Sequence, residues 1–97
     1  KMVKKDLKSG MLVRTNNNIY YMVLRDTGME TTDYSDKDVL LRIDQKGNIG
    51  HDGWLSLSAF NDNLEHEYNE WSIAEVFSVR YADDIGRIVR YKSMWKK

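Results

Sequence analysis

Apolar residues in this chain recur with a period of two, in short runs separated by stretches rich in Asn, Asp and Gly. Successive side chains of a β-strand point to opposite faces, so this spacing predicts strands with one face turned inward. Residues 11–15 read as the first strand. Asn16, Asn17 and Asn18 follow as a hairpin turn, because Asn tolerates the left-handed backbone. Residues 19–25 are the next strand, with Ile19, Tyr21 and Val23 on one face and Tyr20, Met22 and Leu24 on the other. Both faces are apolar, which predicts a central strand with the core on one side and at least partial cover on the other.

Residues 26–37 form a polar stretch of twelve, long for a loop in a small domain. Residues 39–44 give a third strand, with Val39, Leu41 and Ile43 opposed to Leu40 and Arg42. Gly47 supplies the positive φ for a hairpin at 44–48, and 49–53 reads as a second turn-rich stretch. Residues 54–57 are a short strand, after which Ser58 caps one helical turn through Leu64. Residues 72–79 are β-branched and aromatic and read as a strand. Asp83, Asp84 and Gly86 mark a turn, and 87–91 form a further strand. Five or six short antiparallel strands joined by tight turns predict a mainly β fold, a small barrel or a strongly bent sheet. At 97 residues the chain is one domain. It divides into a body over about 6–79 and a basic C-terminal extension over 80–97.

The chain has no cysteine, which removes disulfides, thiolate metal sites and cysteine nucleophiles. No apolar run approaches the ~20 residues of a membrane helix, and a cytoplasmic location is expected. The formal net charge is zero but unevenly placed. Residues 1–10 are net +3, residues 11–79 are net −7 and residues 80–97 are net +4. An acidic body with basic ends favours contact with partners of opposite charge.

The chemistry-bearing residues do not assemble a catalytic motif. His51-Asp52 lacks a nucleophile in an elbow context, and neighbouring strand or turn residues point apart. Glu65-His66-Glu67 lacks the spacing that converges ligands on one face. Asp33, Asp36 and Asp38 resemble a calcium loop but lack its Gly and its terminal bidentate Glu. Gly47, Gly50 and Gly53 are spaced for turns, with no helix after them to bind phosphate. In the extension, Arg80, Arg87, Arg90, Lys92, Lys96 and Lys97 interleave with Tyr81, Tyr91 and Trp95, as cations and stacking rings do in single-strand binders. Tyr20 or Trp54 with Arg42 is a possible pairing for a base and a phosphate of a small nucleotide.

Four segments carry a resemblance. Asp6-Leu7-Lys8-Ser9-Gly10-Met11-Leu12-Val13 leads to Tyr20-Tyr21-Met22-Val23-Leu24, then to the segment from Gly53 to Leu64, then to that from Ile73 to Phe77. Over residues 6–79 this resembles short uncharacterised phage and prophage proteins of low-GC Gram-positive bacteria. The resemblance implies a small SH3-like barrel and carries no catalytic residues. The function expected is non-catalytic protein binding, phage-encoded, directed at a bacterial host factor such as a nuclease or defence component in the host cytoplasm, with no cofactor or metal. Its expected contacts are the acidic residues Asp26, Glu30, Asp33, Asp36, Asp38, Glu65, Glu67 and Glu70. Two alternatives remain: a nucleic-acid-binding accessory protein using Arg80, Arg87, Arg90, Tyr91, Lys92 and Trp95, and a protein that sequesters a small nucleotide. The second apolar face of strand 19–25 further implies either a homodimer or a C-terminal segment folded back over it.

Overall fold

The period-two runs become six antiparallel strands of one sheet in the computed structural model, which describes residues 1–27, 37–43, 49–81 and 89–97, with backbone alone at 49–52, 79–81 and 89–90. The strands are β1 (Leu12–Thr15), β2 (Tyr20–Leu24), β3 (Val39–Ile43), β4 (Ile49–Ser56), β5 (Ile73–Tyr81) and β6 (Val89–Lys96). Their order is β4-β3-β2-β1-β5-β6, so β2 is interior as its two apolar faces predicted. The mainly β class and the strand count match the expectation. Among the described residues the sheet ends at β4 on one side and β6 on the other.

Turn chemistry sets the registers. Gly10 has φ +92, and Met11 N–H donates to the Lys8 carbonyl at 3.1 Å, closing the turn that feeds β1. Asn18 has φ 68 in the β1–β2 hairpin, where Thr15 N–H donates to the Ile19 carbonyl at 3.0 Å. That hairpin places Val13 opposite Tyr21 and Leu12 opposite Met22.

One face of the sheet carries the core. Val13, Tyr21, Val23, Leu40 and Val76 project from four strands onto Leu7, Leu57, Phe60, Leu64 and Ile73. The cover therefore comes from the N-terminal segment and from residues 57–64. Those two are tied together by Lys4, whose N–H donates to the Asp62 carbonyl and whose Nζ donates to the Phe60 carbonyl at 2.7 Å. Leu64 reaches the core from a left-handed position, φ 68, inside a turn closed by Asn61. The Asn61 side chain accepts from the N–H groups of Asn63 and Glu65 at 2.9 and 3.0 Å. Burial raises the Tyr21 phenol pKa above its ordinary value, and the Arg42 cation opposite it offsets part of that shift.

Three local readings are corrected. Residues 49–53 are not a turn but the first half of β4, because pairing with β3 resumes beyond an irregularity between Leu41 and Ile43. The helical turn sits at Leu57–Ala59 as a single 3₁₀ turn, and its cap is Ser56, whose hydroxyl accepts from Ser58 N–H at 3.2 Å. Further 3₁₀ turns at Lys4–Asp6 and Asn69–Trp71 carried no apolar periodicity to announce them. The third correction concerns the C-terminus. It does not fold back over Tyr20, Met22 and Leu24. It extends the sheet as β6, paired to β5 from Glu75–Lys96 to Tyr81–Val89 and separated from β2 by β5 and β1. Trp95 lies opposite Val76 and packs on the core.

Candidate protein-binding surface

The register also fixes what lies on the face away from the core. Trp54 is opposite Leu41, Leu41 opposite Met22, Met22 opposite Leu12 and Leu12 opposite Phe77. Five apolar side chains from five adjacent strands thus form one transverse row. None of the five belongs to the buried core, and each is half-buried. Beside the row stands Tyr20, 40% exposed, with its ring 6.0 Å from that of Phe77. Val39, one rank further along, is fully buried. At the other end the row is bounded by Arg14 and Glu75, paired at 3.2 Å. The Glu75 carboxyl is held below its usual pKa by a hydrogen bond from Ser93, then by Arg14 and Lys96. This rim is polar and internally neutralised, and the centre is apolar, which is the anatomy of a protein contact patch.

A groove of about 470 Å³ runs beside the edge strand, lined by Trp54, Leu55, Ser56, Ser58, Ala59, His66 and Glu67. Its far wall is held by aromatic packing. His66 stands 5.0 Å from Phe60 and 5.0 Å from Trp71, both edge-on, and stacks on Tyr68 at 5.8 Å. Its Nδ1 accepts from Tyr68 N–H at 2.9 Å, and its own N–H donates to the Ser72 hydroxyl. A smaller cleft of about 160 Å³ is lined by Lys4, Arg25, Lys37, Asp38, Leu57 and Ser58. Lys4 and Arg25 there are already engaged, Arg25 with the carbonyls of Leu7 and Lys4 and with Asp38.

The acidic residues expected to meet a partner divide. Asp38 is engaged within the chain: Asp26 N–H donates to it at 2.9 Å, lowering its pKa first, and Arg25 pairs with it at 3.1 Å. Glu65 accepts from the Asn61 amide. Asp26, Glu67 and Glu70 are exposed, and of these Glu67 lines the groove. Glu30, Asp33 and Asp36 lie outside the described residues, and with them the calcium-loop comparison and the hairpin at 44–48. Glu65, His66 and Glu67 do not converge, and among the described residues no three His, Cys, Asp or Glu side chains are grouped to hold a metal.

In the basic extension the described residues 89–96 form β6, which continues the strand expected at 87–91. Arg90 pairs with Arg80 in the register, Tyr91 is 39% exposed and Lys92 is exposed, but the Trp95 ring serves the core. Arg87 is outside the described residues. Tyr20 and Arg42 stand on opposite faces, since Arg42 is registered with Tyr21, so they do not frame one ligand with Trp54. The apolar row itself escaped the sequence reading beyond Met22. Its signal was present in the double-faced pattern of Val39, Leu40 and Leu41, and in Val76-Phe77, but needed the strand order to become one surface. Among the described residues no helix is long and apolar enough to cross a membrane. No protein-family model, curated protein or solved structure matches the chain.

Proposed function

We propose that this chain is a non-catalytic binding protein that acts by protein–protein contact, phage-encoded as the resemblance implies, and directed at a bacterial host factor. The observation that supports it is the transverse row Trp54, Leu41, Met22, Leu12 and Phe77 on the face opposite the core. A sheet face left to water alone ordinarily alternates apolar-in with polar-out, and this one does not. Burying a fully exposed side chain of this kind is worth roughly 1.5–3 kcal/mol, and these half-buried ones about half of that, before association costs are subtracted. The acidic stretch 11–79, net −7, favours a basic partner surface such as that of a nucleic-acid-handling protein. The test is affinity capture from host lysate with the wild type and with Met22→Thr, followed by mass spectrometry. A protein retained by the wild type and lost with the variant is the expected result. Equal capture by both, or none at low and moderate salt, overturns the reading.

A second reading rests on β5 and β6. Registered pairing of β5 with β1 ends at Phe77, whereas pairing with β6 continues to Tyr81, so a two-stranded ribbon runs past β1. Residues 80–97 give it a net charge of +4, and such a ribbon fits a nucleic-acid groove. Binding to DNA or RNA that weakens steeply with salt, and is lost on Lys92→Glu, is the expected signature. No mobility shift at low salt rejects it.

A further inference from the structure

The groove beside β4 has a feature that the open face lacks. The N–H of Leu57 donates to the Asp38 carbonyl at 3.0 Å, and the register continues as Val39–Ser56, Leu40–Leu55 and Leu41–Trp54. Hydrogen-bonded and non-bonded pairs alternate along an antiparallel ladder. Leu55 therefore turns its main-chain groups toward β3, and Trp54 turns its N–H and C=O outward from the sheet edge. Trp54 is among the residues that line the groove. An edge strand, a groove beside it and outward main-chain groups form the setting in which an extended segment adds as a further strand.

We infer that this groove is a strand-addition site for an extended, cationic peptide segment. The inference rests on the protein-contact reading and gives the partner a chemistry. Charge decides the occupant. Glu67 lines the far wall, exposed, and Glu65 and Glu70 are exposed on the same stretch. Among the described residues no Lys or Arg lines the groove. A peptide paired to Trp54 points alternate side chains to one side, and an arginine on the Leu55 side of the strand meets the Glu67 carboxylate by its guanidinium. Ala59 and Leu55 leave the groove floor apolar, which suits the aliphatic stem of that arginine.

The test is an amide-resolved NMR titration with synthetic heptapeptides that alternate Val and Thr around a central Arg, Lys, Ala or Glu. The Arg peptide is expected to give saturating shifts at the amides of Trp54 and Glu67, and the Glu peptide none. Glu67→Lys, an exposed substitution whose spectrum reports an intact fold, is expected to weaken Arg-peptide binding at least tenfold. N-methylation of the peptide main chain on the side facing β4 is expected to abolish it. Met22→Thr leaves peptide binding unchanged, so failure of the groove and failure of the open-face reading are separable. The inference is overturned if the Arg peptide fails to saturate by millimolar concentration. Binding indifferent to Glu67→Lys, or shifts centred on Leu12, Met22 and Phe77 instead, also overturns it.

Discussion

The two faces of one sheet are made by the same strands, residue by residue, and their central rows differ in burial. On the covered face Val13, Val23, Leu40 and Val76 are fully buried and Tyr21 is 5% exposed. On the other, their immediate neighbours Leu12, Met22, Leu41 and Phe77 are only half-buried, although they are as apolar. Backbone propensity is shared, so it cannot account for the contrast. What separates the two rows is cover: the N-terminal segment and residues 57–64 close one, and on the other face full burial is reached at Val39, outside the row. The covered face gives the chain its fold. The open face retains apolar side chains that the described residues leave half-buried.

The contrast breaks most sharply when the covered face is thinned. Phe60→Ala removes the largest fully buried side chain among the described residues, and such truncations cost about 3–5 kcal/mol. Against a total near 5–15 kcal/mol for a domain, that shift in the urea midpoint should be large, and partial unfolding at 37 °C is expected. A midpoint moved by less than a third of this would mean that the core lies elsewhere.

The opposite asymmetry is expected of Met22→Thr on the open face. Threonine keeps a strand-compatible backbone, and the side chain removed is half-buried, so stability should change by less than about 1.5 kcal/mol. Partner capture should fall at least tenfold, which is about 1.4 kcal/mol of binding. A variant that lost stability as heavily as Phe60→Ala would show that the open face is covered after all.

Most of this architecture was legible in the sequence because it depends on local periodicity. The turns at Gly10 and Asn18 and the strands β1, β2, β3 and β5 each follow from a few neighbouring residues. What was not legible depends on pairing. The sequence 49–53, with its two glycines, has turn composition, and only the ladder with β3 makes it a strand. The strand expected at 87–91 runs on to Lys96, because alternating cations and aromatics describe a solvated edge strand as well as a charged extension. The candidate site was half-legible. Glu67 was among the acids expected to meet a partner, but nothing local joined it to Trp54, thirteen positions earlier, across the groove. Asp38 was expected in the same role, and Arg25 and the Asp26 N–H occupy it instead.

Self-association offers a gentler probe of the open face. The chain carries no net charge, so two copies do not repel at long range. Five half-buried apolar side chains offer several kcal/mol in gross terms, against roughly 4–15 kcal/mol lost to association. Weak dimers are the expected balance, detected by light scattering as a mass rising above the monomer only at hundreds of micromolar and restored to the monomer by Met22→Thr. A rise that persists in the variant would place the self-contact on an edge strand.

The smallest expected effect lies at the rim of that same face and is read through pH. The carboxyls of Glu75 and Asp38 are both held below their ordinary pKa values, the first chiefly by the Ser93 hydrogen bond and the second chiefly by the Asp26 N–H. A carboxyl lowered in the folded state contributes stability that is present above its unfolded pKa, near 4, and is lost as pH falls through the folded value. Stability should therefore decline below about pH 4, beyond what net-charge repulsion alone imposes. Glu75→Gln removes one of the two contributions and keeps the shape of the side chain. The variant should be slightly less stable than the wild type at pH 7, by no more than an exposed ion pair contributes. The difference should shrink as both are taken toward pH 2, because the wild-type carboxyl is then neutral too. Urea midpoints for the pair at pH 7 and pH 2.5 decide it. A gap of the same size at both would mean that Glu75 acts by packing beside Phe77 and Arg14 rather than by charge, and the rim of the open face would then count as part of its apolar surface.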